Sequence, residues 1–140
     1  ATARKYPWGD AMPPPAGAGN FADRSARGLV ANLLTGYDDG YPVTAPVGRF
    51  AANALGLFDL GGNAAEWTSD VYTVSGAGGG PDPVATGAGQ YHVVRGSSWR
   101  QSGITDLRLS ARDFGDAGRL DVGFRIARYA EPPVTTGSER

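Results

Sequence analysis

The stretch FDLGGNAAEWTSD, residues 58–70, packs Asp59, Gly62, Asn63, Ala64 and Glu66 into one short glycine-rich run that ends on Trp67. Hard cations such as calcium take six to eight oxygens at about 2.3–2.6 Å, usually two or more carboxylates completed by backbone carbonyls. Glycines let the backbone turn those carbonyls inward. Asp59 and Glu66 with the carbonyls of Gly62 and Ala64 meet that requirement. The spacing is not that of an EF-hand loop, and a glycine turn flanked by two solvated acids accounts for the same residues. A second set joins Asn20 and the carbonyl of Phe21 to DDGY, residues 38–41, where Asp39 and the carbonyl of Tyr41 flank a glycine. Asp-Gly is also a plain turn signal, and Asn20 can simply end a loop.

The surrounding chain bounds what such ions would serve. Its 140 residues suffice for one domain with one core. Apolar residues make up 41% and charged residues 19%, which fits a globular chain, and no apolar run approaches the length of a membrane span. The balance of 13 basic and 14 acidic residues leaves a net charge of −1, which offers no field for phosphate backbones or anionic lipid. Nucleic acid is therefore not an expected partner. All but one of the basic residues are arginine, the exception being Lys5, as expected where planar multi-donor side chains tie loops together. There is no cysteine, which excludes disulfides, thiolate metal sites and thiol catalysis.

Twenty-two glycines and ten prolines break the chain into short elements joined by turns. Strands are expected over 91–99, 106–112 and 122–129, where apolar and polar residues alternate or β-branched residues cluster, and the three are expected to form one antiparallel sheet. A short amphipathic helix is expected from Asp23 to Leu34, capped by Asp23 and stopped by Gly36. Residues 75–89 read as a surface loop, and 131–140 as a flexible tail or linker.

Six stretches, YPWGD (6–10), NFADRSA (20–26), DDGYPVTAPVGRF (38–50), NALGLFDLGGNAAEWTSD (53–70), VVRGSSW (93–99) and VGFRIAR (122–128), occur in an order that resembles the formylglycine-generating enzyme family, also called the sulfatase-modifying-factor domain. The resemblance covers nearly everything from Tyr6 to Arg128. It implies an α+β, C-type-lectin-like fold, loop-rich with small twisted antiparallel sheets and few short helices. Residues 1–130 would be the C-terminal portion of such a domain. The family carries a longer N-terminal part with a lead-in helix, whereas five residues precede Tyr6 here; a separate chain, a missing segment or a minimal domain would account for that. Two calcium sites carry over from the family: Asn20, the Phe21 carbonyl, Asp39 and the Tyr41 carbonyl in one; Asp59, the Gly62 and Ala64 carbonyls and Glu66 in the other. The resemblance thus implies two structural calcium ions.

The family's catalytic residues do not carry over. The two cysteines that bind copper fall on Gln101 and Asp106, neither of which can supply a thiolate to Cu(I). The family's pocket tryptophan is Ala65 here. His92 is the single histidine, so no histidine-rich iron site can be built from this chain alone. Ser97 and Ser98 lack a neighbouring base in sequence. Trp8, Trp67 and Trp99 read as core anchors. Arg95, Arg108, Arg112 and Arg125 read as staples, with Asp70, Asp113, Asp116 and Asp121 available as partners.

These readings converge on a non-catalytic binding or assembly module whose calcium-pinned loops present a recognition surface at 100–106 and 113–121, for a protein, peptide or glycan ligand. Two alternatives stand beside it: a metal-dependent oxidoreductase completed by another segment or chain, and a variable ligand-binding protein of a diversity-generating system. Millimolar extracytoplasmic calcium makes a periplasmic or extracellular setting the expected one.

Overall fold

Trp67, Thr68 and Val71 favour extended backbone, and Ala65–Val71 form the longest strand, β1, inside a segment whose sequence read as a turn. The structure is a computed structural model and describes residues 4–74 and 84–128. β2 (His92–Arg95) pairs antiparallel with β1 through Glu66 opposite Arg95 and Trp67 opposite Val94. β3 (Arg112–Gly115) pairs antiparallel with β2, and β4 (Val122–Gly123) runs parallel to β1. The order is β3-β2-β1-β4. The sheet is therefore mixed, which corrects the expectation of an antiparallel one: β4 returns beside β1 after the β2–β3 excursion and meets it in the same direction.

Only Arg24–Ala26 of the expected helix is helical, as one 3-10 turn. Asp23 does cap it, accepting from the Ser25 N–H. Gly28 then takes φ +86°, which a right-handed helix excludes, and the chain folds back so that the Leu34 N–H reaches the Ala22 carbonyl. The apolar residues at helical spacing consequently part company: Leu34 is buried and Leu29 is exposed. The strand expected over 106–112 is also corrected. Successive turns bond Leu107 to Gly103, Arg108 to Thr105 and Ala111 to Arg108, burying Leu107 and leaving Leu109 exposed, and extended pairing begins only at Arg112. Residues 75–83 of the expected loop, Tyr129 of the third strand and the tail at 131–140 lie outside the described residues.

The core sits beside the sheet. Tyr6, Phe21, Leu34, Tyr37 and Leu107 form one buried cluster, with Trp8, Met12 and Ala18 packed on it. Trp8 stacks on Tyr6 at 5.0 Å between ring centroids and meets Phe21 edge-on at 5.3 Å. Full burial of a side chain such as Phe21 contributes roughly 1.5–3 kcal/mol. Phe21 thereby fixes the position of its neighbours Asn20 and Asp23, both fully buried.

Candidate metal centre

Asn20 begins the first donor set. Its Nδ2 donates to the Val43 carbonyl at 2.7 Å and to Asn63 Oδ1 at 3.3 Å, while its Oδ1 is buried and accepts no hydrogen bond from the described residues. Asp39 is tied to the residue after Asn20, one carboxylate oxygen accepting from the Phe21 N–H and the other from the Tyr41 N–H, both at 2.8 Å. Burial is the main cause that pushes the Asp39 carboxyl up to about 6; these backbone bonds oppose it, and the nearby Asp23 carboxylate adds to it. Asp23 accepts from the Asp39 and Ser25 N–H groups, and Ser25 Oγ donates to the Tyr41 carbonyl at 2.9 Å. The buried Asp23 carboxylate and the half-buried Asp39 carboxylate thus face each other with no cationic side chain bonded to either among the described residues.

Asp59 begins the second set. It takes φ +53°, its Oδ2 accepts from the Gly48 N–H at 2.8 Å, and its Oδ1 is buried without a partner among the described residues. Glu66, at the start of β1, is gripped by both arms of Arg125, with Nε donating to Oε2 at 2.7 Å and Nη2 to Oε1. The same guanidinium reaches the carbonyls of Phe58 and Asp59, and the Glu66 bond raises its pKa above the usual value. Asp59, Ala64 and Glu66 line one groove of about 520 Å³ together with Arg125. Gly62 lies at φ +92°, and a β-carbon there would come within 2.8 Å of the Asn20 carbonyl oxygen, so the turn joining the two sets admits only glycine.

Sequence reading missed three participants. Asp23 read as a helix cap, yet its carboxylate anchors Asp39. Asn63 read as part of a turn, yet its side chain accepts from the Ala45 N–H at 2.8 Å and donates to the Ala45 carbonyl at 3.2 Å. Arg125 read as a general staple, yet it belongs to the Glu66 site. The clustering of Asn and Asp in NFAD and GGN is the available signal for the first two.

The remaining candidates fall elsewhere. Gln101 and Asp106 border a separate groove of about 410 Å³ with Leu29, Asn32, Arg100 and Ser102. Gln101 Oε1 accepts from the Ser98 N–H at 2.8 Å. Ala65 is buried at the start of β1. His92 lines a shallow groove beside Trp67, Gln90 and Asp116. Ser98 Oγ donates to Asp121 at 2.8 Å, and Ser97 Oγ accepts from the Gly62 N–H. Arg95 bonds the carbonyls of Leu109 and Ala111, as a staple should. Residues 113–115 of the second expected recognition stretch belong to β3. Among the described residues no three His, Asp or Glu side chains converge on a metal-sized space, so an ion held at either set draws on backbone carbonyls.

Residues 1–130 match the sulfatase-modifying factor enzyme 1-like domain. The chain belongs to this family. The sulfatase-modifying factor chain is 33% identical over 141 residues to the formylglycine-generating enzyme of Streptomyces coelicolor, a match that takes in 96% of this chain and 43% of that enzyme. It is 28% identical over 135 residues to the inactive C-alpha-formylglycine-generating enzyme 2 of Mus musculus, covering 91% of this chain and 38% of the mouse protein. Among solved structures it resembles PvdO from Pseudomonas aeruginosa, with a TM-score of 0.55 at 30% identity over 65% of this chain and 36% of PvdO. It thus spans less than half the length of these relatives. Among the described residues no helix is long and apolar enough to cross a membrane.

Proposed function

We propose that this sulfatase-modifying factor domain is a non-catalytic binding module whose loops are held by two structural calcium ions. One observation carries the reading. The two buried side-chain oxygens that lack a hydrogen-bond partner among the described residues, Asn20 Oδ1 and Asp59 Oδ1, fall one in each donor set. A buried acceptor left unmade costs about 1–3 kcal/mol, and a cation at each position removes that cost. Asn20, Asp39 and the carbonyls of Phe21 and Tyr41 would hold the first ion. Asp59, Glu66 and the carbonyls of Gly62 and Ala64 would hold the second. Each carboxylate oxygen has two lone pairs, so Glu66 can keep Arg125 and still face an ion.

Gln101 and Asp106 support the non-catalytic part, since neither is a thiol and both open onto the groove beside residues 29–32. That groove is the proposed recognition surface, for a protein, peptide or glycan. The name of the mouse relative, an inactive member, points the same way. Kinship with C-type lectins belongs to the same reading, supported by a loop-rich chain around one small sheet. Calcium sites of this kind suit a periplasmic or extracellular setting, where the free ion is abundant.

The test is the elemental content of the protein purified without added metal or chelator, followed by an assay for peptide-thiol oxidation with copper or iron supplied. About two calcium ions per chain with no turnover is the expected result. Stoichiometric copper or iron with turnover would overturn it.

A further inference from the structure

A β-carbon at Gly115 of β3 would come within 2.9 Å of the far end of the Trp67 indole. Trp67 belongs to β1, and β2 runs between β1 and β3. The ring therefore lies across β2, and the sheet makes room for it by having glycine at 115. Trp67 stays half-buried, and its indole N–H is neither buried nor bonded to a described residue. The ring helps to line a groove of about 440 Å³ together with Gln90, His92 and Asp116. Gln90 Nε2 donates to Asp116 Oδ2 at 2.8 Å, which sets the amide and the carboxylate side by side. Among the described residues nothing bonds Gln90 Oε1, Asp116 Oδ1 or the His92 ring, and no arginine or lysine pairs with Asp116.

We propose that this groove binds one neutral hexopyranose ring, packed against Trp67 and held through its hydroxyls by Gln90, His92 and Asp116. Such a ring carries an apolar C–H face, which an indole covers, and hydroxyls that each donate and accept. The groove supplies both halves of that pattern. Asp116 Oδ1 and Gln90 Oε1 accept, the Trp67 N–H donates, and a neutral His92 ring donates through one nitrogen and accepts through the other. An anion would meet the Asp116 carboxylate with no cation paired to it. A cation would use the acceptors and leave both donors unmatched. The volume falls within the roughly 300–1,000 Å³ of small-molecule sites. No member of either calcium donor set lines this groove, and it is separate from the one beside residues 29–32, so it stands apart from the function proposed above.

The experiment titrates the isotopically labelled chain, in calcium-containing buffer, with methyl β-D-glucopyranoside, methyl β-D-galactopyranoside and methyl α-D-mannopyranoside. Glycerol and free arginine serve as the ringless polyol and the cation. Magnetic resonance follows the Trp67 indole N–H and the backbone amides of 90–92 and 115–118. At least one pyranoside should shift these signals saturably, with a dissociation constant of about a millimolar, as suits a ligand of this size. Gln90→Ala and Asp116→Ala, both at exposed positions, should each weaken that binding by about tenfold. Glycerol and arginine should give no saturable shift. Four results overturn the proposal: none of the three pyranosides saturates; arginine saturates the same signals instead; the pyranoside shifts map to another part of the chain; or Asp116→Ala leaves the affinity unchanged.

Discussion

Asn20 and Asn63 hold each other at two points: the Asn63 N–H donates to the Asn20 carbonyl at 2.8 Å, and Asn20 Nδ2 donates to Asn63 Oδ1 at 3.3 Å. Gly62, a member of the second donor set, packs directly on the backbone of Asn20, a member of the first. Segments 43 residues apart are thereby joined at one buried point. Disturbing either asparagine should be felt at both sets.

Asn63→Ala removes the acceptor for the Ala45 N–H and one partner of Asn20, and deletes the donor to the Ala45 carbonyl. Buried groups left unpaired cost about 1–3 kcal/mol each. Urea denaturation should show a loss of at least about 2 kcal/mol; a change inside experimental error would mean the joint carries no stability.

Gly62→Ala asks a β-carbon to stand 2.8 Å from the Asn20 carbonyl oxygen at a backbone φ of +92°. Neither the contact nor the dihedral can relax without moving Asn20. A loss of about 2 kcal/mol or more is expected, read as a lower thermal midpoint. Gly40→Ala, also at positive φ but with open space around the new carbon, should cost less.

Calcium should raise the thermal midpoint, adding about 2.7 kcal/mol when present at a hundredfold excess over its dissociation constant. Asp59→Ala and Asp39→Asn should each lower the calcium bound per chain from about two to about one by titration calorimetry. If neither variant changes the stoichiometry, the assignment of the donor sets is wrong.

Asp39 makes the metal-free protein sensitive to pH. Burial, which disfavours the charge, pushes its carboxyl from the usual aspartate value of 3.8 up to about 6 in the folded chain. Between those values the folded state holds the proton more tightly than the unfolded one. Through this group, stability is therefore greatest at the acid end, falls as pH rises from about 4 to about 6, and levels off above that. The difference in urea midpoint between the parent and Asp39→Asn, measured in chelator across that window, should follow this fall. A difference that stays constant with pH would contradict it.

Local chemistry, legible in the sequence, determined a good part of this protein. The glycine positions, the Asp23 cap, the six motifs that mark the family and the β-branched start of β2 all rest on nearest-neighbour preferences. The acid and amide residues proposed as donor sets read locally as glycine turns with flanking acids, and only the resemblance to the family singled them out. Only tertiary structure decided the rest. The apolar residues from Ala26 to Leu34 and from Leu107 to Leu109 carry periodicities that suggest a helix and a strand, yet each buries one leucine and exposes another, because the core around Phe21 selects which side chain fits. β1 emerged from a stretch that read as a turn once β2 and β4 were available on either side of it. The grip of Arg125 on Glu66, 59 positions away, and the two orphaned oxygens of Asn20 and Asp59 depend on which distant groups the fold brings near, and no local preference encodes that.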